Sequence, residues 1–282
     1  MIVITSVKEL EDALAPVRES GQSVGLVPTM GALHEGHASL VKRCVDECDV
    51  SVVSVFVNPT QFNDKNDLAS YPRNLEADRE LLRQLGASIV FAPSVEEVYP
   101  EPDTRTFSYP PIDTVMEGAK RPGHFNGVCQ VVSKLFMFVK PERAFFGEKD
   151  FQQIAVVRVM TRDLGLPVEI VPCPIVREAS GLALSSRNQL LTDNERAIAS
   201  TINCVLQKSL DWAKAESVEQ VTARVVSELD SVDGLQTEYF QIVDGDTLQP
   251  ISKWSDSDSV VGCITVYCGQ RPVRLIDNIR YK

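Results

Sequence analysis

Residues 23–27 form a short apolar run, residues 38–48 carry apolar side chains at helical spacing, and residues 50–57 return to a nearly continuous apolar stretch. Strand, amphipathic helix and buried strand make a β-α-β unit. The alternation continues with a charged helix over 75–85, a strand at 89–92, a helix at 128–139, a strand at 144–146, a helix at 151–164 and a strand at 168–176. Such alternation predicts parallel strands joined by right-handed helical crossovers. The pattern changes after residue 188: two helices, 193–213 and 218–229, precede strands at 239–243, 260–267 and 273–276. The expected fold class is therefore α/β, with a Rossmann-like parallel sheet in an N-terminal domain (residues 1–180) and a smaller α+β C-terminal domain (residues 181–282). The change of pattern falls near 177–188, and ligands commonly lie in crevices beside such boundaries.

Residues 100–127 interrupt the alternation. Pro100, Pro102, Pro110, Pro111, Pro122, Gly118, Gly123 and Gly127 leave little room for a regular element, so a long surface loop is expected. Loops of this length inside compact domains are usually functional or disordered. Lys120, Arg121 and His124 at its end favour a functional one.

Composition adds bounds. With 282 residues, 44% hydrophobic and 24% charged, the chain is an ordinary globular sequence. Its formal charge of −11 argues against a broad nucleic-acid-binding surface. No run approaches the roughly 20 apolar residues of a membrane span, and the N-terminus has no secretory pattern. Seven cysteines without a C-x-x-C pair fit a reduced, cytoplasmic protein. Cys44 and Cys48, at i,i+4 spacing, read as packing residues.

The densest chemistry lies in Pro28-Thr29-Met30-Gly31-Ala32-Leu33-His34-Glu35-Gly36-His37, where the first predicted strand turns into a helix. Two of the three histidines of the chain are here. At i,i+3 spacing, His34 and His37 project from one side of a first helical turn. The unpaired N–H groups and the positive end of the helix dipole face the same way, which suits a phosphate. Gly31 and Gly36 permit close approach of backbone to ligand. A bare tight turn is the blander alternative; zinc is disfavoured, because H-E-x-x-H spacing is absent.

Three further segments sit at predicted strand ends. Asn58-Pro59-Thr60-Gln61-Phe62 offers, in Gln61, an amide donor and acceptor for a ligand bearing carboxylate and hydroxyl groups. In Phe146-Gly147-Glu148-Lys149-Asp150-Phe151-Gln152-Gln153, Lys149 can act as a point charge on phosphate, or pair with Glu148 or Asp150. Leu184-Ser185-Ser186-Arg187-Asn188 brings two hydroxyls and a guanidinium together, a phosphate-binding set or a Ser-rich helix cap.

The H-x-G-H turn after a first strand resembles the nucleotidylyltransferase superfamily, and the extended Pro-Thr-Met-Gly-x-Leu-His-x-Gly-His form resembles the pantothenate synthetase family in particular. Tyr71-Pro72-Arg73 and Arg121-Pro122-Gly123-His124-Phe125-Asn126-Gly127-Val128 match the same family. The resemblance is dense from residue 24 to 190. It implies ATP-dependent condensation of pantoate with β-alanine through a pantoyl-adenylate. ATP contacts would come from Met30, Gly31, Ala32, Leu33, His34, Glu35, Gly36 and His37, from Gly147, Glu148, Lys149 and Asp150, from the Val176 backbone, and from Leu184, Ser185, Ser186 and Arg187. Gln61 and Gln153 would contact pantoate, with Gln61 close to β-alanine. His34, His37, Lys149, Ser185, Ser186 and Arg187 would stabilise the reacting phosphate, His37 being the candidate proton donor to pyrophosphate. The resemblance also implies Mg²⁺ bound with ATP, a mobile lid at the long loop and a homodimer formed through the N-terminal domain. The metal ligands stay unassigned: Asp78 is the nearest acidic candidate, and its neighbour Ala77 cannot serve. Another H-x-G-H nucleotidylyltransferase acting on a different small acceptor is the alternative.

Overall fold

The computed structural model describes residues 1–62, 68–69 and 71–282. Contacts divide the chain into two units. The first holds Met1–Tyr109, Arg121–Glu148 and Gln153–Pro174; the second holds Pro110–Lys120, Lys149–Gln152 and Ile175–Lys282.

The first unit is built on a parallel sheet of six strands, β1 (Ile2–Ile4), β2 (Val24–Thr29), β3 (Val50–Val55), β4 (Ile89–Phe91), β5 (Arg143–Gly147) and β6 (Glu169–Cys173), in the order β1-β4-β3-β2-β5-β6. The central strands read as continuous apolar runs because a parallel sheet is covered on both faces; Val24, Leu26, Val27, Val52 and Val53 are fully buried. Helices α1 (Val7–Glu19), α2 (Glu35–Glu47), α3 (Leu75–Gln84), α4 (Val95–Val98), α6 (His124–Val139) and most of α7 (Phe151–Asp163) belong to this unit. One face of the sheet packs Leu40, Val41 and Cys44 of α2 and Leu82 of α3 against Val27, Val53, Val90 and Phe145. Cys44 is thus a core residue, as its spacing suggests. The free edge at β6 is blunted: Pro172 lacks an N–H, and its carbonyl accepts from Arg43 Nη1 at 2.7 Å.

Three elements here have no counterpart in the sequence reading: the single-turn α4, β1 and α1. The last of these starts at an N-cap, Ser6, whose hydroxyl accepts from Glu9 N, and buries Leu10 and Leu14. The expected long loop is also more ordered than its composition suggests. It contains the short helix α5 (Met116–Lys120), and α6 starts at His124 behind Gly123, whose φ of +82° only glycine adopts readily.

The second unit has a three-stranded antiparallel sheet, β7 (Leu235–Asp244), β8 (Val260–Cys268) and β9 (Val273–Arg280), covered by α8 (Asp193–Ala199), α9 (Thr201–Trp212) and α10 (Val218–Asp230). The single helix expected over 193–213 is two, broken at Ser200. Leu206, Val221, Val225 and Leu229 pack on Phe240, Ile264 and Val266. The α5 segment is fixed to this sheet by charge. Glu117, 8% exposed, accepts from both Arg274 terminal nitrogens at 2.6 and 2.7 Å, from Tyr239 Oη at 2.8 Å and from Thr265 Oγ1 at 2.9 Å. Gln152 holds the same segment through Ile112 O, Val115 O and Glu117 N.

Candidate active site

In the sheet order β2 is flanked by β3, from which the chain proceeds to β4, and by β5, from which it proceeds to β6. The β2/β5 junction is therefore the topological switch point, where open α/β sheets bind ligands at strand C-terminal ends. The segment after β2 is the histidine turn, and Gly147 ends β5.

Gly31 and Ala32 take left-handed backbone, φ +78° and +48°. For alanine that conformation costs about 1–2 kcal/mol, so other bonds must hold it. They come from Asp78 in the first turn of α3, 3% exposed, whose carboxylate accepts from Ala32 N at 3.0 Å and Leu33 N at 2.7 Å. Burial raises the pKa of this carboxyl, and the two backbone N–H groups oppose the rise. The sequence offered Asp78 as the nearest candidate metal ligand. Its geometry is that of a loop anchor, with both oxygens engaged by backbone.

His34 is the N-cap of α2, and the two imidazoles take the parts usually played by Ser and Glu in a capping box. His34 Nδ1 accepts from Gly36 N at 3.1 Å; His37 Nδ1 accepts from His34 N at 3.4 Å. Their ring centroids are 4.1 Å apart. An imidazole nitrogen that accepts carries no proton, so each neutral ring has its proton on Nε2. The cap thus presents two Nε2–H donors at a helix N-terminus.

Gln61 lies in a 3₁₀ turn, Pro59–Gln61, after β3 and is 9% exposed. Its Nε2 is 3.3 Å from Met30 Sδ and its Oε1 accepts from Asn58 Nδ2 at 3.1 Å. His124, 7% exposed, anchors this turn: its Nδ1 is 2.9 Å from Gln61 O, and Arg121 Nη1 is 3.2 Å from its Nε2. A guanidinium can only donate and a carbonyl can only accept, so His124 is the Nδ1–H tautomer. At the end of the expected surface loop, His124 is thus a buried strut under the Gln61 turn, with the half-buried Arg121 beside it. Gly127 Cα packs against the same turn, where a Cβ would overlap Thr60 C and O and Gln61 N. Gln153 is half-buried in α7.

Glu148 ends a segment of the first unit; Lys149, Asp150, Val176 and residues 184–187 fall in the second. Lys149 Nζ pairs with Asp150 Oδ2 at 3.2 Å, and Lys149 O accepts from Asn278 Nδ2 at 3.2 Å. Ser185 caps the 3₁₀ turn Ser186–Leu190 by accepting from Arg187 N at 3.3 Å; Ser186 is buried and Arg187 half-buried. Val176 O accepts from Leu184 N at 3.0 Å. Asn188 braces this turn through Ala183 O at 3.0 Å. Among the described residues, no three or more of His, Cys, Asp and Glu gather as a metal site, and no helix is long and apolar enough to cross a membrane.

A parallel sheet with a helix N-terminus at its switch point, capped by two imidazole donors, defines an α/β protein equipped to bind an anion there. The whole sequence narrows the class: residues 2–280 match the model of the pantoate–β-alanine ligase family, and the chain belongs to that family. It is 62% identical to the pantothenate synthetase of Phocaeicola vulgatus over the full length of both chains. It is 59% identical to that of Porphyromonas gingivalis, again over both full lengths. Among solved structures, the pantothenate synthetase of Thermus thermophilus superposes with a TM-score of 0.92 at 44% identity, covering 100% of this chain and 99% of the other. A pantoate–β-alanine ligase of Francisella tularensis, complexed with β-γ ATP and β-alanine, gives 0.85 at 34% identity, covering 100% and 98%.

Proposed function

We propose that the enzyme condenses pantoate with β-alanine at the expense of ATP, through a pantoyl-adenylate, releasing AMP and pyrophosphate. The observation that carries this reading is the family match along residues 2–280. The capped turn at His34 and His37 agrees with it chemically. A carboxylate and an amine do not condense unaided in water, because the departing oxygen is a poor leaving group. Joining the pantoate carboxylate to the α-phosphorus of ATP makes AMP the leaving group instead.

In the first step a pantoate carboxylate oxygen attacks the α-phosphorus in line, and the bond to the bridging oxygen of pyrophosphate breaks. Charge grows on the phosphate oxygens, where preorganised donors lower the barrier most. His34 and His37 supply Nε2–H groups; Lys149, Ser185, Ser186 and Arg187 supply the rest. With Nδ1 of His37 already accepting from backbone, the ring acts as a hydrogen-bond donor to the phosphates. In its imidazolium form, His37 would also be the proton donor to the departing pyrophosphate. In the second step the β-alanine amine attacks the pantoyl carbonyl, AMP departs, and the amine proton is released. Gln61 and Gln153 hold pantoate, with Gln61 close to β-alanine. Met30 to His37, Gly147 to Asp150, the Val176 backbone and Leu184 to Arg187 contact ATP. Residues 181–282 act as the closing domain, excluding water that would hydrolyse the adenylate.

Mg²⁺ fits this chain as part of the substrate rather than as a resident ion. Asp78 is committed to Ala32 and Leu33, and Asp150 to Lys149. Mg²⁺ commonly binds through phosphates with few protein ligands, so it would enter with ATP and neutralise charge on its phosphates. The working enzyme is taken to be a cytoplasmic homodimer, which light scattering would check.

The test is incubation with ATP, pantoate carrying ¹⁸O in its carboxylate, and β-alanine. AMP formation must require pantoate, and one ¹⁸O must appear in the AMP phosphate. Unlabelled AMP, with the departing ¹⁸O recovered in phosphate, pyrophosphate or water, would sink the adenylate mechanism. Nucleotidyl transfer to a different acceptor, the other reading of an H-x-G-H turn, is not favoured by the family match.

A further inference from the structure

We infer that Asn58, oriented by Gly127 O and Thr60 N and held in place by Tyr99, fixes the polarity of Gln61, so that the amide N–H₂ and not the carbonyl is offered to the substrate. The inference rests on the pantoate reading above for the identity of that substrate.

The orientation follows from which atoms can only donate or only accept. Asn58 is 1% exposed and lies between β3 and the Gln61 turn. One end of its side chain is 3.1 Å from Gly127 O, which can only accept, so that end is Nδ2. The other end is 3.4 Å from Thr60 N, which can only donate, so it is Oδ1. Tyr99, immediately after α4, donates its O–H to this Oδ1 at 2.8 Å, the shortest bond in the set. Thr60 Oγ1 adds a longer contact at 3.2 Å. Asn58 Nδ2 also reaches the Gln61 side chain at 3.1 Å, and a donor there requires Oε1 of Gln61 to face it. The other end of Gln61 is then Nε2, directed to Met30 Sδ at 3.3 Å. Thioether sulfur is a weak acceptor, and a carboxylate or hydroxyl oxygen of a substrate displaces it readily. Burial raises the pKa of Tyr99, which keeps its hydroxyl protonated and donating. Lys134 Nζ, 5.3 Å above the ring, holds the phenol in place from the other side.

Tyr99 is thus a positioning residue for recognition of an oxygen-rich acid. Gln61 with its polarity reversed would set a carbonyl against the substrate carboxylate, and repulsion would replace attraction.

The experiment is steady-state kinetics of Tyr99→Phe in the full-length enzyme, with ATP, pantoate and β-alanine varied in turn. Removing one buried O–H donor is expected to raise KM for pantoate about five- to tenfold, with KM for ATP unchanged and kcat altered less than twofold. A pantoate KM within twofold of wild type overturns the inference, and so does a joint rise of the pantoate and ATP constants, the mark of general loosening. Should Tyr99→Phe fail to fold, wild-type enzyme labelled with ¹⁵N-glutamine serves instead. Pantoate is then expected to shift the Gln61 side-chain amide, assigned by its loss in Gln61→Ala; an unmoved resonance overturns the inference. Wild type that forms no AMP with pantoate removes the functional reading itself, and with it this inference.

Discussion

Asp78→Asn separates the two things the carboxylate does, holding the histidine turn and burdening the fold with a buried charge. Asn keeps one acceptor, but its amide N–H₂ faces the second backbone N–H, leaving a donor buried at Ala32 or Leu33. An unsatisfied buried donor costs about 1–3 kcal/mol, and a hydrogen bond to a charged group contributes about 1.5–3 kcal/mol. About 3 kcal/mol is therefore withdrawn from a turn in which Ala32 already stores about 1–2 kcal/mol of left-handed strain. Against this, Asn carries no charge to desolvate. The Asp78 pKa is raised in the folded state by burial. Its contribution to stability is thus complete below the unfolded carboxyl pKa and is lost as pH rises through the folded one, so at neutral pH the ionised group weighs against folding. The two effects offset in global stability but not in the turn, which is free to relax by itself. Unfolding in urea at pH 7 is expected to shift by less than about 1.5 kcal/mol, while kcat/KM for ATP in pyrophosphate release falls about a hundredfold, the equivalent of roughly 2.7 kcal/mol. Activity within threefold of wild type would refute the reasoning, and so would a stability loss of the full 3 kcal/mol with activity retained.

Four further outcomes are expected. His37→Ala should reduce the rate of adenylate formation about 10²- to 10³-fold, the usual cost of losing a donor to a developing oxyanion; ¹⁵N NMR of histidine-labelled enzyme should show Nδ1 of His34 and His37 unprotonated at neutral pH, and a protonated Nδ1 would contradict the cap geometry. Gly127→Ala places a methyl against the backbone of Thr60 and Gln61, which cannot swing aside as a side chain would; a loss of about 3 kcal/mol in denaturant stability is expected, and a neutral change would show that α6 does not press on the Gln61 turn. Arg274→Met should cost about 3–5 kcal/mol by taking the guanidinium from the buried Glu117 and the half-buried Glu238, and adding Glu117→Gln should restore more than half; no recovery in the double variant would mean the guanidinium acts by packing alone.

The parts of this molecule legible in sequence are those encoded within one turn or one strand. Apolar runs announced β2 to β5 because a covered parallel strand needs apolar side chains on both faces. The histidine turn was legible because its donors, its glycines and its helix start lie within ten consecutive residues. The signal for α1 was present and local as well: Ser6 and Glu9 at capping spacing, with Leu10 and Leu14 following, obscured by Pro16. β1, at three residues, is too short to carry a period. By contrast, the order in the 110–120 segment depends on Arg274, 157 residues from Glu117, and no window of proline-rich sequence could reveal it. The same holds in the site. The residue types at His34, His37 and Gln61 were readable, but their protonation and polarity are fixed by partners that local patterning does not pair. Asp78 lies 46 residues from Ala32, His124 63 from the Gln61 carbonyl, and Tyr99 41 from Asn58. Motif residues state which chemistry is available; the buried donors and acceptors behind them decide which atom of each motif residue meets the substrate. Variants at Asp78, His124 and Tyr99 should therefore alter substrate constants without touching any residue of the motif's reactive face, and that separation is the measurable signature of a site whose direction is set from behind.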